Sequence, residues 1–283
     1  MNSMNNSEIS MKKNNNLLDR FKTEIKELGR YFFLKLKSPL TIIGLGIIIF
    51  AIIISIFPQI LTPYSLTDAI GVYPEQWNPP SPDHPLGQTR FGRDVLARII
   101  YAIPNSLMLS ISAVLIGLIC ALIIGIPIAL LNKKLNISAE ILLIPIFMVP
   151  LVFVVFFGFF IFSFPFNDYP FLVGLFLNSF FTYLIARERT SFYDISKKVI
   201  PYIPLFMGVT ILIDTFIGLL GFSSSLFIRL GAEISIGRSF LYIAPWASLF
   251  PSLAVFILLS GFFILYGGLQ KSPEELRDLK RVL

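Results

Sequence analysis

Little in this sequence can carry a charge, a metal or a proton. Of its 283 residues only 14% are charged, against about 25% in an ordinary soluble domain. A folded sphere of this size could not solvate its surface with so few charges, which excludes a soluble globular enzyme. With 55% apolar residues, 29 Phe and a mean hydropathy of +0.78, a disordered chain is excluded as well. One cysteine, Cys120, leaves no partner for an intramolecular disulfide and no cysteine-based metal cluster. One histidine, His84, removes most metal-site and acid–base options. No GxxxxGK[ST] stretch is present for P-loop ATP hydrolysis, and no HExxH for a catalytic zinc. An aspartyl intramembrane protease needs two facing carboxylates, and only Asp214 falls within an apolar run. No cofactor is implied.

What the chain has in abundance is long apolar runs, and a run of about 18 residues or more can cross a bilayer as a helix. Six are expected: 40–57, 107–131, 141–162 (bent at Pro145 and Pro150), 169–186, 199–222 and 246–265. Ser38-Pro39 reads as an N-cap followed by proline at the first helical position. Gly44 and Gly46 in the first run, and Gly117 and Gly125 in the second, read as packing notches. Six spans put both termini on one side. Counted on that basis, eighteen Lys and Arg lie on the side of the termini and five on the other, so the positive-inside rule predicts cytoplasmic termini. The net charge of +6 divides into eighteen basic and ten acidic residues inside, five and six outside, and Asp214 within a span. The basic excess is therefore an orientation signal, and no nucleic acid is implied.

The fold class expected is all-α, a polytopic membrane protein with six transmembrane helices and both termini cytoplasmic. The divisions are 1–37, a cytoplasmic tail and amphipathic helix; 38–62, the first transmembrane helix; 63–106, an external loop with a short interfacial helix ending before Pro104; 107–267, a five-helix core; and 268–283, a cytoplasmic tail. Phe21, Ile25, Leu28 and Phe32 recur at helical spacing among Arg20, Lys22, Lys26 and Arg30, which predicts a basic amphipathic helix on the lipid of the inner leaflet. An alternative use of that helix is partner binding. His84, in a proline-rich external loop, reads as solvated or packed into a turn.

The stretch His84-Pro85-Leu86-Gly87, continuing through Gly92-Arg93-Asp94-Val95-Leu96, Arg98, Tyr101 and Ser106-Leu107, resembles the inner-membrane permease subunits of dipeptide/oligopeptide (or nickel) ABC importers. It departs at Gln88-Thr89, where that family has Thr-Asp. Lys37-Ser38-Pro39, Gly231-Ala232-Glu233, Gly237-Arg238, Ala244-Pro245-Trp246, Leu249-Phe250-Pro251 and Tyr266-Gly267-Gly268-Leu269 also resemble the family. The likeness runs from about Leu34 to Asp278 and is weakest over 132–198. It implies a multi-pass protein of a prokaryotic plasma membrane, without catalytic or metal residues. It also implies partners: a second permease subunit, cytoplasmic ABC ATPase subunits and an external solute-binding protein. The external vestibule would be shaped by Gly87, Gly92, Arg93, Asp94 and Arg98. The family's cytoplasmic coupling loop carries a Glu-Ala-Ala triplet, which here falls on Thr182-Tyr183-Leu184. The coupling helix is then a divergent one carrying Arg187, Glu188, Arg189, Asp194, Lys197 and Lys198, or the subunit is a degenerate homologue acting as a scaffold.

A charge inside a span costs at least about 2.5 kcal/mol and seeks a partner or a wet cavity. Asp214 lies one turn from Thr210 and Gly218, a small and polar face suited to close packing or to a pore wall. Structural pairing, within the chain or across a permease dimer, and contact with a translocated solute are the two readings.

Overall fold

The computed structural model describes residues 22–120, 192–221 and 227–270. The regular structure among those residues is helical, with no strand and a single isolated β-bridge between Gln88 and Asp94. We number the helices α1 (22–36), α2 (Pro39–Ile56), α3 (Leu66–Ile70), α4 (Val95–Cys120), α5 (Phe192–Val199), α6 (Ile203–Leu219), α7 (Leu230–Arg238) and α8 (Trp246–Gln270). Four helical stretches are long and apolar enough to cross a membrane: Pro39–Ile56, Val95–Ile119, Ser196–Leu219 and Trp246–Gln270. The expected spans over 141–162 and 169–186 lie outside the described residues.

α2 starts where proline can start a helix and stops where proline ends one. Phe57 precedes Pro58 and leaves the helical region at φ −123°, ψ 67°, as the residue before a proline is driven to do. Ser38 occupies the N-cap position, but its side chain makes no capping bond. The buried residues of α2 (Thr41, Gly44, Ile48, Ala51 and Ile54) form one stripe, while Ile42, Ile43, Ile49, Phe50 and Ile53 stay exposed. That is the surface of a helix solvated by hydrocarbon on its outer side.

The buried stripe packs on α8. Thr41 meets Gly268, Gly44 meets Leu265, and Ile47 meets Gly261. Partner numbers fall as α2 numbers rise, so the two helices are antiparallel, and residues 39 and 270 lie at the same end. The approach is close enough that a Cβ on Gly44 would sit 2.5 Å from the Leu265 amide nitrogen. Gly46, by contrast, meets none of the described residues within 4 Å of where its Cβ would be.

α4 revises one expectation. The separate interfacial helix before Pro104 does not exist: Val95 to Cys120 is one continuous helix with Pro104 inside it. A proline in a helix interior removes a single donor, and packed helices tolerate the loss. The first turns of α4 are deeply buried, with Val95, Ala97, Ile100 and Ala102 all at 1% exposure or less. Val95, Ala97 and Ala102 pack in one cluster with Ile211 of α6, Leu230 of α7 and Leu258 and Phe262 of α8.

Candidate functional site: a polar cap over one end of the helices

The loop from α3 to α4 folds into a compact cap because two positions in it accept only glycine. Gly87 has φ +77° and Gly92 φ +68°, the left-handed region open to residues without a Cβ. Space excludes a side chain too. A Cβ on Gly87 would lie 2.6 Å from Cδ1 of Trp246, and one on Gly92 would lie 2.2 Å from the Glu75 carbonyl oxygen. Between them the chain closes on itself, with the Thr89 N–H donating to the Arg93 carbonyl at 2.8 Å and the Val95 N–H to that of Gly87 at 3.0 Å.

Arg93, Asp94 and Arg98 then tie the loop to the helices around it. Asp94 is the N-cap of α4: Oδ1 accepts the Ala97 N–H at 2.6 Å, satisfying a donor that a helix start leaves free. Arg93 serves the other kind of helix end. Its Nε and guanidinium NH2 donate to the carbonyls of Gly71 (2.7 Å) and Ile70 (2.8 Å) at the end of α3. Arg98 donates to the Ala69 carbonyl at 3.0 Å and forms a buried ion pair with Glu233 of α7. Trp246, the first residue of α8, donates from Nε1 to the Gln88 carbonyl at 3.0 Å. The five residues expected to shape a vestibule thus join α3, α4, α7 and α8 at one end of the molecule.

His84 is packed into this turn. Its ring stacks on Tyr64 at 5.2 Å, and its two nitrogens lie 3.1 Å from Asp94 Oδ2 and 2.9 Å from Gln88 Nε2. Because that same amide donates to the Gly92 carbonyl, its nitrogen identity is fixed, and it is the donor to His84 Nε2. The proton on the ring is therefore on Nδ1, shared with Asp94. Burial pushes the Asp94 carboxyl above its ordinary value, and the Ala97 N–H and His84 pull the other way.

Beneath the cap, Asp214 of α6 pairs with Arg229 at 2.6 Å, with side chains 2% and 7% exposed. The pairing is within the chain, across the turn that leads into α7. Asp214 stands in the second half of α6, and Arg229 reaches it from the residue before α7. Thr210 donates to the Phe206 carbonyl at 2.8 Å, and Gly218 lets the backbone of Gly231 and Ala232 approach within van der Waals range.

The other end of the molecule has a different character. α5 carries Asp194, Lys197 and Lys198 of the expected coupling loop, whereas Arg187, Glu188 and Arg189 lie outside the described residues. Lys197 sits over the rings of Tyr31 of α1 (4.7 Å) and Tyr193 (5.6 Å), Tyr202 lies 5.4 Å from Tyr266, and Lys35 donates to the Leu269 carbonyl. α1, α5 and the end of α8 thus share one end, opposite Trp246 and the cap. Asp194 and Lys198 are exposed there.

Sequence inspection does not find Arg229 or Glu233 as functional positions. Glu233 enters only as part of the Gly231-Ala232-Glu233 likeness, and Arg229 only among the basic residues counted for orientation. Among the described residues no three His, Cys, Asp or Glu converge to hold a metal ion. No protein-family model matches the chain, and no curated protein matches it either.

Proposed function

We propose that this chain is a permease subunit of an ATP-driven importer in a prokaryotic plasma membrane, moving peptides or similar small solutes by alternating access. The observation that carries this reading is the 84–107 stretch. The residues it shares with peptide-importer permeases are those whose chemistry the cap requires: glycines at left-handed turns, an aspartate capping α4, and arginines satisfying α3 and Glu233. A likeness that includes the residues specifying one local fold is hard to obtain by chance composition.

The rest of the reading follows from the two ends. The eighteen-to-five division of Lys and Arg supports six spans with the α1/α5 end cytoplasmic and the cap external, and the antiparallel α2/α8 pair agrees with it. ATP-driven closure of a separate ATPase would push on α5 and the residues before it. The helices would then exchange outward- and inward-open arrangements beneath a cap that receives the solute-binding protein.

The test is affinity purification of the tagged chain from its native membrane. Co-purification of an ABC ATPase and a second permease subunit is the expected result. Their absence, with unrelated membrane proteins recovered instead, overturns the transport reading in favour of a scaffold.

A further inference from the structure

The cap encloses a cavity of about 450 Å³, within the range of about 300–1,000 Å³ typical of small-molecule sites. Its lining is one-sided in chemistry. Three carboxylates (Asp68, Glu75 and Asp94) and three rings (Tyr64, Tyr73 and His84) line it, and no described lysine or arginine does. Arg93, beside Asp94 in sequence, is turned to the carbonyls that end α3. At Tyr64 burial raises the hydroxyl pKa, and Asp94, Asp83 and Asp68 raise it further, so the field along that wall is negative.

The carboxylates do not gather at a point, since no three of the described His, Cys, Asp or Glu could hold one metal ion. They are spread around the cavity, from exposed Glu75 and half-buried Asp68 at the mouth to Asp94, 4% exposed, at the floor. Separated negative charges with aromatic faces between them suit a ligand with charge distributed along an apolar stem, because ammonium and guanidinium groups are drawn to both carboxylates and ring faces.

We propose that this cavity binds an extended organic cation carrying amine or guanidinium groups, its stem against Tyr64 and Tyr73 and its charges among Asp68, Glu75 and Asp94. The inference does not rest on transport: the cavity offers the same chemistry to a cation whether or not the chain carries a solute.

Binding can be read without a label. The chain has two tryptophans, and both lie in the cap: Trp77 is stacked on Phe240 at 4.3 Å, and Trp246 is bonded to the carbonyl of Gln88, which lines the cavity. The full chain in lipid nanodiscs is titrated with 1,5-diaminopentane at fixed ionic strength while tryptophan fluorescence is followed. 1,5-Pentanediol and calcium chloride are run alongside. The expected result is a saturable change with the diamine, none with the diol, and at most a weaker one with calcium.

Glu75→Gln keeps an acceptor for Asn78 at an exposed site and should weaken diamine binding about three- to fivefold. Glu27→Gln, which removes the same charge from exposed α1 at the far end, should leave it unchanged. No saturable response to the diamine, an equal response to the diol, or equal affinity in Glu75→Gln overturns the proposal. Tighter binding of calcium than of the diamine overturns the organic-cation class. A chain that binds the diamine but recovers no ATPase keeps this inference and loses the importer reading, and the reverse outcome separates them the other way.

Discussion

The two ends of this molecule handle their charges in opposite ways. At the floor of the cap the ionic groups are buried and partnered, Arg98 with Glu233, Arg229 with Asp214, and Asp94 with His84 and the Ala97 N–H, while Glu75 at its rim stays exposed. At the α1/α5 end the charges are mostly exposed, unequal in sign and set against rings: Lys197 over Tyr31 and Tyr193, Lys37 over Phe33. A buried ion pair fixes geometry, because either partner alone is costly. An exposed cation over a ring contributes little to folding and leaves its charge available. The comparison teaches that the floor of the cap is a structural interior that happens to be polar, whereas the described charges at the opposite end do little to fix the fold.

The largest expected effect tests the first half of that statement. Glu233→Ala leaves the Arg98 guanidinium buried without its carboxylate, which should destabilise the chain by about 3–5 kcal/mol and lower the thermal midpoint of the protein in detergent micelles. Retention of the wild-type midpoint would mean that the cap is not an interior. Asp214→Leu should cost a similar amount, with a sharper control. Replacing both members, Asp214→Leu with Arg229→Leu, should recover most of the loss, because an apolar pair of similar size often matches a buried ion pair in stability. If the double variant is no better than the single one, the pair does something that packing cannot replace, and the wall beneath the cap becomes a candidate for solute contact.

A smaller effect separates the floor of the cap from its rim. Asp68 accepts hydrogen bonds from the side chain and backbone of Ser65, which hold its carboxyl below the ordinary 3.8. Its stabilising contribution is present above that value and is lost as pH falls through the depressed folded pKa. Asp94 is shifted upward by burial, so its contribution is present below 3.8 and is lost as pH rises through the raised folded pKa. Measured as thermal midpoints against pH, wild type should gain on Asp94→Asn and lose ground to Asp68→Asn as the solution is acidified. Curves that bend the same way would erase the distinction between floor and rim.

The apolar helices α2, α6 and α8 were legible in the sequence because hydrocarbon imposes a length and excludes charge. α2 and α8 start within a residue of where Pro39 and Trp246 place them. α4 was not, and the reason is physical. Arg98, Asn105 and Pro104 make its outer turns look unlike a span, yet Arg98 is neutralised by Glu233, 135 positions away, and Asn105 Nδ2 donates to the Ile228 carbonyl. Partners that distant leave no local pattern. Asp214 was visible as an anomaly, but its partner looked like any loop arginine. In the candidate site the glycines, Asp94 and the arginines were marked by resemblance alone. That they close turns, cap helices and pair across the fold depends on contacts from four helices, which spacing cannot convey.

The smallest expected effect tests the other end. Lys197→Gln removes a half-exposed cation from the Tyr31 ring and should cost no more than about 0.5–1 kcal/mol. Raising salt should shrink that difference further, since exposed charges are screened over about 10 Å at 0.1 M, while leaving the Glu233→Ala loss nearly untouched. The salt response decides more than the size does. A Lys197→Gln loss that matched Glu233→Ala and ignored salt would make the α1/α5 end a second buried interior, with no charged surface left for an ATPase to engage. A small, salt-sensitive loss leaves Lys197 and Lys198 as charges that contribute little to the fold, and a functional defect in their variants would then report on a partner rather than on stability.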